Sequence, residues 1–182
     1  EDLFDAPFYR LVHAEADGLP GVVIDRFGDV AVIQPNAAWA EALLDPLAEA
    51  LVQVTGITTL VKNGTGRARG LEGLAEETVL LRGTIDAPVP VAMNGATYLA
   101  DVMGGQKTGL FYDQRPNHAF AARLARGARV LDVFTHVGGF ALAALAGGAD
   151  SALAVDASAA ALALATGGAQ ASGLEARFAT RQ

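Results

Sequence analysis

The run Val130-Leu131-Asp132-Val133-Phe134-Thr135-His136-Val137-Gly138-Gly139-Phe140 holds the residue types from which a nucleotide site is built. An apolar segment that reads as a strand ends in an acid and passes through two glycines into a helix. Glycine lets the backbone come close to a ligand, and the first turn of a helix offers N–H groups that have no partner within the helix. A second apolar segment ends at Asp156, about where the ribose-binding acid of a βαβ nucleotide site falls. Its carboxylate can accept from both ribose hydroxyls. Alternatively it caps the helix that follows, and the two roles are compatible.

The turn also narrows the ligand. A dinucleotide site calls for Gly-x-Gly-x-x-Gly, and the chain has Thr135-His136-Val137-Gly138-Gly139-Phe140 instead, which makes an NAD-linked oxidoreductase the runner-up. S-adenosylmethionine (SAM) carries a sulfonium and an amino-acid tail in place of a pyrophosphate, so an acid such as Asp132 is tolerable beside it. His136 invites a catalytic role, but a lone loop histidine is more often a packing residue. With no cysteine, disulfides, thiolate-bound zinc and a cysteine nucleophile are excluded within these residues. Asp2, Asp5, Glu41, Glu49, Glu76 and Glu77 lack the spacing of metal ligands and read as solvated acids, so no metal is expected.

These residues need elements to hold them. Tyr9–Ala14, Val22–Asp25 and Val30–Gln34 read as short strands separated by Gly, Pro and Asp. Over Ala37–Val54 the apolar positions Trp39, Leu43, Leu44, Leu47, Leu51 and Val54 recur at helical steps, with Pro46 as a kink. Thr58–Lys62 and Thr78–Arg82 are further strands, joined by a loop at Asn63–Gly70. In that loop Arg67 and Arg69 are read as solvated, contact with RNA phosphate being the alternative.

Beyond Pro88 and Pro90, Val89–Met93 and Thr97–Val102 form a hairpin through Asn94-Gly95. The pattern then changes to helix at Pro116–Ala125, strand at Arg129–Phe134, helix at Phe140–Ala146, strand at Ala152–Asp156 and helix at Ala159–Ala171. Trp39 and Phe120 fit core-facing helical positions. Gly167, Gly168 and Ser172 weaken the last helix, which is expected to fray. Alternating β and α segments of this length indicate a right-handed βαβ unit and a parallel sheet, of which the first two strands are expected here.

The 182 residues, 52% of them hydrophobic, suffice for one ordinary domain or two small ones, and the apolar runs are far too short to span a bilayer. A net charge of -7 argues against a broad polyanion-binding surface. The absence of cysteine suits a cytoplasmic setting. The first residue is Glu1, and the sheet is expected to be incomplete, so the chain is expected to be truncated at both ends.

The string Gly104-Gly105-Gln106-Lys107-Thr108-Gly109-Leu110-Phe111-Tyr112-Asp113-Gln114-Arg115 resembles the Gly-Gly-Gln-Lys-Thr-Gly-Phe-Phe-Leu-Asp-Gln-Arg signature of the large-subunit rRNA 5-methylcytosine methyltransferases, a family of class I SAM-dependent enzymes. Val130–Phe140 resembles that family's Val-Leu-Asp-Leu-Phe-Ser-Tyr-Thr-Gly-Gly-Phe, and Arg10–Arg26 and Leu71–Leu74 resemble two of its further motifs. Thr135-His136-Val137 departs from the family's Ser-Tyr-Thr.

The resemblance implies an α/β chain: residues 1–90 as the family's central α+β domain, then 91–182 as the N-terminal part of a Rossmann-like SAM-methyltransferase domain. The family's PUA domain is expected to lie outside these residues. It further implies SAM as cofactor, with Asp132, Phe134, Gly138, Gly139 and Phe140 in the first SAM loop and Asp156 on the ribose. Lys107 and Arg115, just ahead of the loop, are candidates for the SAM carboxylate, with a structural ion pair as the alternative. Gln106, Thr108, Asp113 and Gln114 are candidates for shaping the same pocket.

The function implied is cytosine-C5 methylation of large-subunit ribosomal RNA, gripped mainly by parts outside this chain. Such chemistry needs a nucleophile at C6, commonly a cysteine, so no catalytic residue is assigned and the chain alone is expected to be inactive. A non-catalytic RNA- or protein-binding module of the same fold is the other alternative. The oligomeric state is not legible.

Overall fold

The computed structural model describes residues 4–105 and 109–182. It divides into two compact units, Glu1–Val89 with Asp101–Leu110, and Pro90–Ala100 with Phe111–Gln182.

The first unit is built on a five-stranded sheet in the order β1-β2-β3-β4-β5. Strands β1 (Phe8–His13), β2 (Val22–Phe27) and β3 (Val30–Pro35) form an antiparallel meander, and β4 (Thr59–Asn63) returns parallel to β3 before β5 (Thr78–Arg82) closes the far edge antiparallel. Alternate residues Val22, Ile24, Ala31, Ile33 and Leu60 point to a core completed by Ala40, Leu51 and Ile57. Across β1 and β2, the Arg10 guanidinium holds both oxygens of the buried Asp25 carboxylate, at 2.9 and 3.1 Å.

The helix expected over Ala37–Val54 is two helices, α1 (Ala38–Ala42) and α2 (Leu44–Thr55). The break falls at Leu43, not at Pro46. Proline sits in the first turn of α2, where a missing N–H removes no intrahelical bond. Trp39, expected in the core, is 37% exposed, because its indole N–H donates to the Pro20 carbonyl at 2.9 Å and holds the ring at the surface.

The segment after β4 departs most from expectation. It contains a short helix, α3 (Arg67–Leu71), and Arg69 is 1% exposed instead of solvated. The guanidinium donates to the carbonyls of Pro35 and Ala75 and to Glu41 Oε2 at 2.8 Å. Glu41 also accepts from Lys62 Nζ at 2.8 Å, and Lys62 reaches Glu77 Oε1 at 2.7 Å. Glu41 and Glu77 are therefore ion-paired, not merely solvated. A buried cation demands such partners. Burial pulls the Lys62 ammonium down, yet its bonds to Glu41 and Glu77 hold it above the ordinary lysine value.

In the second unit, β6 (Val89–Met93) and β7 (Ala96–Ala100) pair as a hairpin. Its turn residues Asn94 and Gly95 have φ of 52° and 77°, the left-handed pair that a two-residue turn requires. Helix α4 (Arg115–Leu124) follows. Then β8 (Arg129–Val133), α5 (Gly139–Ala146), β9 (Ser151–Val155) and α6 (Ala159–Ala171) make the expected parallel βαβ unit. Phe120 on α4 is 56% exposed, not in the core.

Two further expectations fail. A third strand, β10 (Phe178–Arg181), lies parallel to β9, giving a sheet of order β10-β9-β8. Its four residues carry no apolar run and are held by backbone pairing. Helix α6 is not frayed: a Cβ at Gly168 would lie 2.9 Å from the Thr97 carbonyl, so glycine is what lets β7 approach. Ser172 Oγ then accepts from Thr97 N at 2.8 Å.

Candidate functional site

Strands β8 and β9 are neighbours in register, with Asp132 opposite Ala154 and Val133 opposite Val155, so the segments that leave their C-terminal ends emerge side by side. The loop after β8 is tightly folded. Phe134 and His136 adopt left-handed φ of 62° and 53°, and Gly138 has φ of 85°. Two non-glycine residues in that region represent backbone strain of about 1–3 kcal/mol each, which persists only where the surroundings impose it.

Asp132 imposes much of it. The side chain is 7% exposed, and Oδ2 accepts from Thr135 Oγ1 at 2.5 Å and from Ala141 N at 3.0 Å. It thus ties the loop to the first turn of α5 and satisfies N–H groups that the helix leaves open. Burial raises the Asp132 pKa; the bonds from Thr135, Ala141 and Phe140 oppose that, and the balance stays above the ordinary aspartate value.

Asp156, just past β9, completes the arrangement. Oδ2 accepts from His136 N at 2.9 Å and Oδ1 from Ser158 N at 2.9 Å. The N-cap of α6 is Ser158, whose Oγ accepts from Ala161 N, so Asp156 is not the capping residue. The N–H of Ser158, with that of His136, holds the Asp156 pKa below its ordinary value, and the carboxylate is ionised at neutral pH. The Ala157 N–H also faces the carboxylate, and the lone-pair capacity that remains is open to a ligand hydroxyl.

The structure therefore brings Asp132, Gly138, Gly139, Phe140 and Asp156 into one connected loop system. Phe134 projects from it, 88% exposed. Arg115 opens α4 in the same unit, half-buried, and its charge acts on the Tyr98 hydroxyl. Asp113 and Gln114 lie in the turn ahead of α4. Gln106, Lys107 and Thr108 lie outside the described residues. Among the described residues, no group of three or more His, Asp or Glu is placed to hold a metal ion.

The departures from the family pattern find places. Thr135 keeps the hydroxyl that serine would offer to Asp132. Val137 is core, and the His136 ring packs edge-on to Phe111 with centroids 5.2 Å apart. Sequence reasoning missed two buried residues beside the turn, Tyr98 on β7 and His118 on α4, because neither lies in a motif.

Burial lowers the His118 pKa to about 4, with Asp113 opposing. The unfolded chain takes up that proton near its ordinary value of 6.5, so between 6.5 and 4 the unfolded state binds more protons than the folded one. Stability is accordingly expected to fall as pH drops through that window, by up to ~3 kcal/mol. Urea titrations of the wild type and His118→Gln at pH 7 and pH 4.5 test this; equal pH slopes in the two proteins contradict it.

Residues 78–175 match the model of the S-adenosylmethionine-dependent methyltransferase family, more than half of the chain. The chain belongs to that family. A "Ribosomal RNA large subunit methyltransferase I" of Tolumonas auensis is 42% identical over 159 residues, 86% of this chain and 40% of the relative. One of Aeromonas hydrophila is 40% identical over 169 residues, 92% and 43% of the two chains. The chain thus spans about two fifths of the length of these curated relatives.

Among solved structures, a Streptococcus mutans protein assigned as a SAM-dependent methyltransferase superposes with a TM-score of 0.81 at 25% identity, over 96% of this chain and 45% of that one. A crystal structure with the same TM-score and identity is a complex with SAH, S-adenosylhomocysteine. The SAM-dependent methyltransferase of Agrobacterium tumefaciens shares the fold, with a TM-score of 0.68 at 20% identity.

The family's cofactor is SAM, and the donor set of the turn is compatible with it. The first N–H groups of α5, which a dinucleotide site would turn toward a pyrophosphate, are engaged by Asp132. A ligand with a cationic sulfonium needs no such donors, whereas an NAD pyrophosphate would lose them and meet an acid in their place.

Proposed function

We propose that the protein containing this chain methylates cytosine C5 in large-subunit ribosomal RNA in the cytoplasm, and that the turn after β8 together with Asp156 holds its SAM. In this reading residues 1–90 are a central α+β domain and 91–182 the opening part of the SAM domain. The observation that carries the cofactor reading is the pairing of the left-handed Gly138 turn with an ionised carboxylate at the ends of adjacent parallel strands.

Asp156 would accept from the ribose hydroxyls. Gly138 and Gly139 would let the backbone approach the ligand, with Phe134 and Phe140 as apolar surface beside it. Arg115 would meet the SAM carboxylate. Bound SAM supplies an electrophilic methyl group. This chain's own residues bind and orient it; with no cysteine among them, a thiolate adding at cytosine C6 is not one of these 182 residues.

The RNA reading is supported by the names of the Tolumonas and Aeromonas relatives, and the C5 reading by the Gly104–Arg115 signature. Arg69, paired internally, is not offered as an RNA contact; Arg67 is exposed. Calorimetric titration of the full-length protein is expected to show heat with SAH and none with NADH, the reverse contradicting the cofactor. Bisulfite mapping of ribosomal RNA with and without the gene should show one large-subunit cytosine losing its methyl group. An unchanged map, with a change in another RNA, would discard the substrate.

A further inference from the structure

Two buried side chains outside the βαβ unit press on the glycine turn. Tyr98 of β7 is 0% exposed, and its hydroxyl donates to the Gly139 carbonyl at 3.2 Å. A core phenol is costly unless bonded, and phenylalanine would fill the same space without that demand, so the hydroxyl has one evident use. The carbonyl it meets belongs to the first turn of α5, whose intrahelical bond leaves one lone pair free.

On a second side stands His118 of α4, 6% exposed, its ring edge-on to Phe140 with centroids 4.5 Å apart. The ring lies so close to the backbone that a Cβ on Gly139 would come within 2.7 Å of Nε2. Two adjacent glycines have the most conformational freedom to lose, and a ligand that must order them binds more weakly than one that finds them ordered. From the contacts of Tyr98 and His118 we infer that Tyr98 is a positioning residue, fixing the Gly139 carbonyl so that the turn is pre-formed for the cofactor, with His118 as the opposing wall.

This rests on the reading of the turn as the SAM site. The test is Tyr98→Phe in the full-length protein, beside Ser172→Ala, which removes a hydroxyl holding the same hairpin at Thr97 but not the turn. SAH affinity is measured by calorimetry, thermal unfolding by scanning, and exchange of the Gly139 and Phe140 amides by NMR. Tyr98→Phe is expected to weaken SAH about three- to tenfold and to speed exchange at those two amides. Ser172→Ala is expected to lower the unfolding temperature with SAH affinity unchanged.

Equal SAH affinity in Tyr98→Phe and wild type overturns the positioning role and leaves the SAM reading standing. Equal weakening in both variants also overturns it, by reducing Tyr98 to general support of the hairpin. A wild type that does not bind SAH overturns both readings.

Discussion

Asp156→Ala is expected to lower affinity for S-adenosylhomocysteine by about a hundredfold or more. A ribose offers two hydroxyls to this carboxylate in the proposed site, and bonds to a charged acceptor are worth roughly 1.5–3 kcal/mol each, so losing both corresponds to two decades of affinity or more. The same oxygens also accept from His136 N and Ser158 N, so the variant loosens the loop as well. Folded fraction must therefore be measured alongside affinity, and titration kept at a temperature where the variant is folded. A folded Asp156→Ala protein that binds SAH like wild type would remove the ribose role.

Arg69→Met is expected to carry the largest stability loss, about 4 kcal/mol, in the range seen when one member of a buried ion pair is removed. Methionine keeps part of the apolar stem but leaves the Pro35 and Ala75 carbonyls without their donor, and Glu41 with Lys62 alone. Because Glu41 is bonded to both cations, Arg69→Met and Glu41→Gln should be strongly non-additive in a double-mutant cycle. Urea unfolding reads both quantities. A loss below about 1 kcal/mol would place Arg69 with ordinary surface arginines.

The elements around the candidate site were largely legible. Strand β8, the turn at Gly138, helix α5 and strand β9 fall where the short apolar runs and glycines put them, because strands and helices differ in local period and the turn between them needs residues tolerant of left-handed φ. Strand β10 was not legible. Phe178-Ala179-Thr180-Arg181 has no pattern of its own and is a strand only because β9 offers it a partner. The break at Leu43 was likewise hidden by the regular apolar spacing on both sides of it.

Polar side chains were the hardest to place. Arg69, Glu41 and Glu77 carry the composition of a solvated loop and helix, and nothing local reveals that three elements bring their charges together. Gly167 and Gly168 looked like helix defects, and they are the clearance for β7. By itself the sequence determined the α/β alternation, the position of the glycine turn and the acid at the end of each strand, since these follow from local period and backbone freedom. Only the tertiary structure decided what holds the turn, namely Asp132, Tyr98 and His118, because such contacts depend on which side chains distant elements deliver to the same few ångströms.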